Sequence, residues 1–156
     1  MAPIARSHIK TPLGLMIAEA SDKGITQLDF IDHESPEAFG RSCWLDQLHV
    51  ELGEYFAKER EIFTLPLDLR GSDFQCQAWQ ILQRIPYGST ISYAQQAALL
   101  GRPTATRAVA HANSRNPIAI LIPCHRVIAS NGSLGGYSGG LWRKAYLLDL
   151  ERHQGI

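Results

Sequence analysis

The stretch SYAQQAALLGRPTATRAVAHANS, residues 92–114, decides how the second half of the chain is read. Ser92 with Gln95 three residues on is a capping-box pattern, so a helix opens there and runs to Leu100. Gly101-Arg102-Pro103 stops it, and a second helical stretch runs from Thr104 to about Ser114. Two short helices around a glycine-containing turn suggest a helix-turn-helix. The same residues also describe an ordinary helical hairpin, which is the commoner case, and the pair alone does not decide between them.

Working outward, Ser72 with Gln75 repeats the capping device and opens a helix through Ile85, stopped by Pro86 and Gly88. On the other side, Asn116-Pro117 leads into the apolar run Ile118-Ala119-Ile120-Leu121-Ile122, read as a strand. Pro123-Cys124-His125-Arg126-Val127 follows, then a loop rich in glycine through Gly132, Gly135, Gly136, Gly139 and Gly140. Cys124 is therefore expected at a strand-to-loop exit. A free cysteine is usually a small buried hydrophobe. Here a proline fixes the approach, a histidine adjoins the thiol, and the glycines let backbone groups come close to a ligand. Neighbours on a strand point to opposite faces, so Cys124 and His125 can cooperate only across a turn or a bridging water.

The first half reads differently. Residues 8–31 mix β-branched and apolar residues with turn signals at Pro12, Gly14 and Asp22-Lys23-Gly24, which predicts a small antiparallel sheet. Residues 44–57 place Leu45, Leu48, Leu52, Tyr55 and Phe56 on one face of an amphipathic helix. Residues 65–71, broken by Pro66 and Gly71, read as an extended connection. The expected organisation is an α/β companion subdomain over 1–71 and a second domain over 72–156.

Length and composition bound the possibilities. A chain of 156 residues with 45% hydrophobic content can bury a real core as one domain or two small ones. Net charge is zero, yet residues 1–71 carry 7 Lys+Arg against 12 Asp+Glu, whereas residues 72–156 carry 8 against 3. The second half is the basic half, as a polyanion-binding module attached to an acidic companion would be. Cys43, Cys76 and Cys124 are odd in number and show no C-x-x-C spacing, which disfavours a disulfide framework and a cysteine-rich zinc site. No run of 18 apolar residues and no secretory leader is present, so a soluble, cytoplasmic protein without membrane association is expected.

On these motifs residues 72–156 resemble the O6-alkylguanine-DNA alkyltransferases, whose signature is Pro-Cys-His-Arg-Val followed by Tyr-Ser-Gly-Gly, here Pro123 to Val127 and Tyr137 to Gly140. Ile91-Ser92-Tyr93, Arg107-Ala108-Val109, Asn116-Pro117, Leu147-Leu148 and Glu151 extend the likeness. In the first half it is looser, carried by Thr11-Pro12-Leu13-Gly14 and Glu54-Tyr55-Phe56. The resemblance implies an α+β fold: an N-terminal antiparallel-sheet and helix subdomain, then a mainly helical domain with a winged-helix-like helix-turn-helix.

It also implies a reaction, the irreversible single transfer of a methyl or other alkyl group from O6-alkylguanine, less readily O4-alkylthymine, to Cys124. A free thiol has a pKa near 8.5 and needs a base or a positive field to become thiolate. By resemblance His125 supplies this through water, Glu151 holds the His125 tautomer, and Tyr93 donates a proton to the leaving guanine. Tyr137, Ser138 and Gly139, with the carbonyls of Cys124 and Val127, would bind the base. Arg107 would fill the gap left by a nucleotide turned out of the duplex, and Asn116 would hinge the second helix to the active-site strand. The implied partner is double-stranded DNA engaged in its minor groove by a monomer, with clustering on DNA left open, and no cofactor is implied. A zinc held by Cys43 with His8, His33 and His49 is the weaker reading of those residues, and none is expected. Three competitors remain: a binding-only relative, which would carry tryptophan at Cys124; a methyl-sensing regulator, which needs a further N-terminal domain; and a cysteine hydrolase on another scaffold.

Overall fold

The computed structural model describes residues 3–152, and the chain divides into two compact units, Met1–Arg70 and Gly71–Ile156. In the first, β1 (Ala5–Thr11) pairs antiparallel with β2 (Gly14–Ala20) in a register running from Ala5↔Ala20 to Thr11↔Gly14. Pro12 and Leu13 form the two-residue turn, where the Thr11 hydroxyl donates to the Gly14 carbonyl at 2.7 Å. β2 then pairs antiparallel with β3 (Ile25–Phe30), giving the order β1-β2-β3. The helix α1 (Cys43–Phe56) is capped by Ser42 and lays Leu45, Leu48, Leu52 and Tyr55 against β1 and β2. Their burial, with Ile9, Met16 and Leu28 from the sheet, makes the core of this unit.

The second unit begins with α2 (Asp73–Gln83), whose cap Ser72 forms both halves of a capping box with Gln75. β4 (Ile91–Ser92) leads directly into α3 (Tyr93–Leu99), capped in the same way by Ser92 and Gln95. Gly101 takes φ +74° to turn the chain, a left-handed conformation that costs glycine little. The next helix, α4, spans Thr106–Ser114, starting later than the expected Thr104. The residues between are held as a turn, with Ala105 N donating to Arg102 O at 2.9 Å, and Pro103 has no amide hydrogen to extend a helix backward. Trp79 on α2 donates its indole N–H to Ala112 O at 2.9 Å, and Gln96 on α3 exchanges amide hydrogen bonds with Asn113 on α4 at 3.0 and 2.8 Å. These buried polar pairs fix the helix-turn-helix against α2.

The expected strand over 118–122 is not formed. Leu121 N bonds Ala119 O, Ile122 N bonds Ile118 O, and Ile120 adopts φ +73°, so the run is a series of buried turns. Pro117 and Pro123 bracket five residues and remove two amide donors, and an unbroken apolar run carries no period that distinguishes a strand from any other fully buried segment. Cys124 therefore opens a 3-10 turn, Cys124–Arg126, instead of leaving a strand. β5 (Val127–Ile128) comes next and pairs parallel with β4, Ile91 opposite Val127 and Ser92 opposite Ile128. The chain closes with α5 (Leu141–Glu151). No helix among the described residues is long and apolar enough to cross a membrane.

Candidate active site

The short β4–β5 ladder ties the two halves of the site together. Tyr93 follows β4 immediately and Cys124 stands one 3-10 turn before β5. Both line a cavity of about 440 Å³, with Asn113 and Ser114 from α4 on one side and Tyr137 and Ser138 from the glycine-rich loop on the other.

Cys124 is 7% exposed. Its sulfur accepts a hydrogen bond from Asn116 Nδ2 at 3.2 Å, while the same amide nitrogen donates to Ile122 O at 2.7 Å. Asn116 Oδ1 accepts from Ile118 N at 3.0 Å, so this side chain ties the end of α4 to the turns leading into the cysteine. The expected hinge position is thus a clamp on a turn rather than on a strand.

His125 is fully buried, and its Nε2 lies 2.6 Å from Glu151 Oε2. Burial alone would raise the Glu151 carboxyl, but hydrogen bonds from His125 and Arg126 and the charge of Arg126 hold it down at about 2, so it is a carboxylate that can only accept. The proton of the ring therefore sits on Nε2, and Nδ1, which has no hydrogen-bond partner among the described residues, carries the lone pair. Burial pushes the His125 pKa down, Glu151 pulls it up, and Arg126 and Lys144 lower it further; the net direction is downward. A neutral imidazole with a free basic nitrogen results, the form a proton acceptor needs.

Two residues were not singled out by the sequence. Arg126 spans Glu151 with Nε to Oε1 at 2.7 Å and Nη2 to Oε2 at 3.0 Å, and donates from Nη1 to Ile85 O at 2.6 Å. Lys144 is buried, and its ammonium donates to the carbonyls of Val127 at 2.6 Å, Gly136 at 3.0 Å and Leu134. Three donors meet three carbonyls, fastening the glycine-rich loop to β5 from α5. Burial lowers the Lys144 pKa to about 8, against a smaller opposing pull from Cys124. The available signal was its helical spacing, since Lys144, Leu147 and Glu151 fall three and four residues apart on the buried face of α5.

The Tyr93 hydroxyl donates to Gly136 O at 3.4 Å, and burial, outweighing that hydrogen bond, raises its pKa and keeps it a phenol. Gly135 permits this approach: a Cβ there would stand 2.8 Å from the Tyr93 ring and hydroxyl, and its φ of +73° is left-handed. Of the base-binding residues expected, Tyr137 and Ser138 line the cavity. The Cys124 carbonyl accepts from Val127 N and the Val127 carbonyl from Lys144. The Gly139 carbonyl accepts from Arg143 at 3.1 Å and is turned to that use. Arg107 is exposed in the first turn of α4 and does not line the cavity. Among the described residues, no group of three or more His, Cys, Asp or Glu side chains is placed to hold a metal ion; His49 bonds Ser7 and His8 bonds Pro36 O.

Comparison with known proteins finds relatives over both units of the chain. A family model described as 6-O-methylguanine DNA methyltransferase, DNA binding domain, matches residues 73–153, and one described as 6-O-methylguanine DNA methyltransferase, ribonuclease-like domain, matches residues 4–69. The methylated-DNA–protein-cysteine methyltransferase of Mycolicibacterium paratuberculosis is 46% identical over 154 residues, covering 92% of this chain and 90% of that protein. The constitutive methylated-DNA–protein-cysteine methyltransferase of Bacillus subtilis is 45% identical over 152 residues, covering 92% of each. The crystal structure of Mycobacterium tuberculosis OGT in complex with DNA superposes with a TM-score of 0.87 at 41% identity, over 94% of this chain and 92% of that one.

Proposed function

Since the chain belongs to the 6-O-methylguanine DNA methyltransferase family and repairs DNA by alkyl transfer to a cysteine, we propose that the acceptor is Cys124 and the substrate O6-alkylguanine in duplex DNA. The observation that carries this reading is the Cys124 sulfur at the cavity wall, hydrogen-bonded to Asn116 and followed in sequence by the buried His125–Glu151 pair.

In the proposed reaction, Nδ1 of His125 takes the thiol proton through a water, and Glu151 stabilises the imidazolium that forms. The thiolate attacks the alkyl carbon; the S–C bond forms as the C–O6 bond breaks. Tyr93 gives its hydroxyl proton to the departing guanine, offsetting the negative charge that develops there. The proton taken from the thiol replaces the one Tyr93 gave, so the products are intact guanine and S-alkylcysteine. A thioether is not activated toward water as a thioester is, so each molecule acts once.

A thiol in this cavity cannot reach an atom stacked inside a duplex, so the nucleotide is turned out at a cost of roughly a few kcal/mol. Arg107 on α4 takes its place, Tyr137 and Ser138 meet the base, and α4 lies in the minor groove of DNA bound by one protein molecule. O4-alkylthymine is a poorer substrate. The test is Cys124→Ala, assayed with duplex carrying O6-methylguanine: transfer is lost while lesion binding stays. Transfer that persists in this variant removes Cys124 as acceptor.

A further inference from the structure

We propose that His111 is a DNA-contacting group on α4 beside Arg107 and that it binds phosphate as the imidazolium, so that DNA binding takes up a proton. The inference rests on the reading that α4 faces the duplex, and it assigns a specific contact and a pH response to that face.

Residues 74–148 contain no Asp or Glu at all. Within that span α4 buries Val109, Ala112 and Asn113 and exposes Arg107 and His111, with Arg115 exposed at its C-cap. These three fall at i, i+4 and i+8, one stripe about 12 Å long at a rise of 1.5 Å per residue. None of the three side chains has a hydrogen-bond or ion-pair partner among the described residues. With no carboxylate beside it, the stripe offers Arg107 and Arg115 to a polyanion laid along it, with His111 between them.

The stripe also borders the cavity. Ala110 and Ser114, next to His111 on the helical wheel, line the same cavity as Cys124, so a duplex that delivers a nucleotide there must lie along it. Arg107 and Arg115 stand about one helical turn to either side of His111, and the elements near α4 bring further titratable groups. α2 contributes Asp73, Cys76 and Arg84; α3 contributes Tyr93; Cys124 and Tyr137 stand across the cavity; Arg102, in the turn before α4, stacks over Phe74 at 5.7 Å. None of them is bonded to His111 among the described residues. Histidine is the side chain whose charge changes between about pH 5 and pH 8, and a phosphate beside it favours the charged form.

Equilibrium binding to an undamaged duplex, read by fluorescence anisotropy at fixed salt at about pH 6 and about pH 8, tests this without chemistry. Wild type should bind about fivefold tighter at the lower pH. His111→Gln should hold the weaker affinity at both, and His111→Lys the tighter affinity at both, with thermal melting showing each variant folded. A His111→Gln protein that keeps the wild-type pH ratio, or a His111→Lys protein no tighter than wild type at about pH 8, overturns the proposal. Arg115→Ala separates the two readings: an unchanged salt dependence means α4 is not the DNA face, whereas a reduced one with an intact pH ratio in His111→Gln removes only the role of His111.

Discussion

One carboxylate, Glu151, is shared by a histidine and an arginine: its Oε2 lies 2.6 Å from His125 Nε2, and Arg126 grips both its oxygens at 2.7 and 3.0 Å. The arrangement keeps Glu151 ionised in a buried place and leaves His125 neutral with its basic nitrogen free.

Glu151→Gln should therefore cost both stability and rate. The Glu151 pKa falls from 4.5 to about 2 on folding, so its contribution, on the order of 3 kcal/mol, is present above about pH 4.5 and is lost as pH falls toward 2. In Glu151→Gln, Arg126 keeps a buried charge without a counter-ion. Chemical denaturation across pH 2–6 should show an acid decline that is smaller in the variant than in wild type by on the order of 3 kcal/mol, Glu51 and Asp68 keeping their share in both. An equal decline in both proteins removes Glu151 from the acid response.

Lys144→Gln addresses the loop. With three N–H donors on three carbonyls, loss of one proton releases one carbonyl, and the pKa of about 8 places that loss just above neutrality. The wild-type single-turnover rate should fall as pH rises through about 8. Because the unfolded lysine holds its proton up to its ordinary 10.5, Lys144 makes the fold more stable as pH rises from about 8, so stability and rate should diverge. The Lys144→Gln rate should be lower throughout and lack this limb; a limb that survives assigns it elsewhere.

Tyr93→Phe should slow transfer roughly 100-fold, the scale of a lost general acid. Its one long hydrogen bond, 3.4 Å to Gly136 O, holds little of the fold, so the denaturation midpoint should barely move. An unchanged single-turnover rate would exclude the phenol as donor.

Arg107→Ala should lower the reaction with O6-methylguanine in duplex more than with the free base, because only the duplex leaves a gap to fill. Equal losses on both substrates would argue against that role for this exposed side chain.

Much of this was legible in the chain because it is written locally. Ser72 with Gln75 and Ser92 with Gln95 announced two helix starts, and both capping boxes form. Cys124 and His125 stood out through their neighbours, whereas Tyr93 came only with the family resemblance. What stayed hidden depends on contacts distant in sequence. No local pattern says that Lys144 reaches carbonyls at 127, 134 and 136, or that Arg126 shares Glu151 with its neighbour from 25 residues away. The run at 118–122 misled because five buried apolar residues look alike as a strand or as turns, and only the absence of a pairing partner decides.

The most direct test mixes the protein with a duplex carrying one O6-methylguanine and records the intact mass and the mass of each cysteine-containing peptide. The account predicts one added methyl, on Cys124 and on neither Cys43 nor Cys76, saturating at one per molecule as guanine is restored in the DNA. A methyl on another residue, or guanine restored in excess over protein, would contradict it.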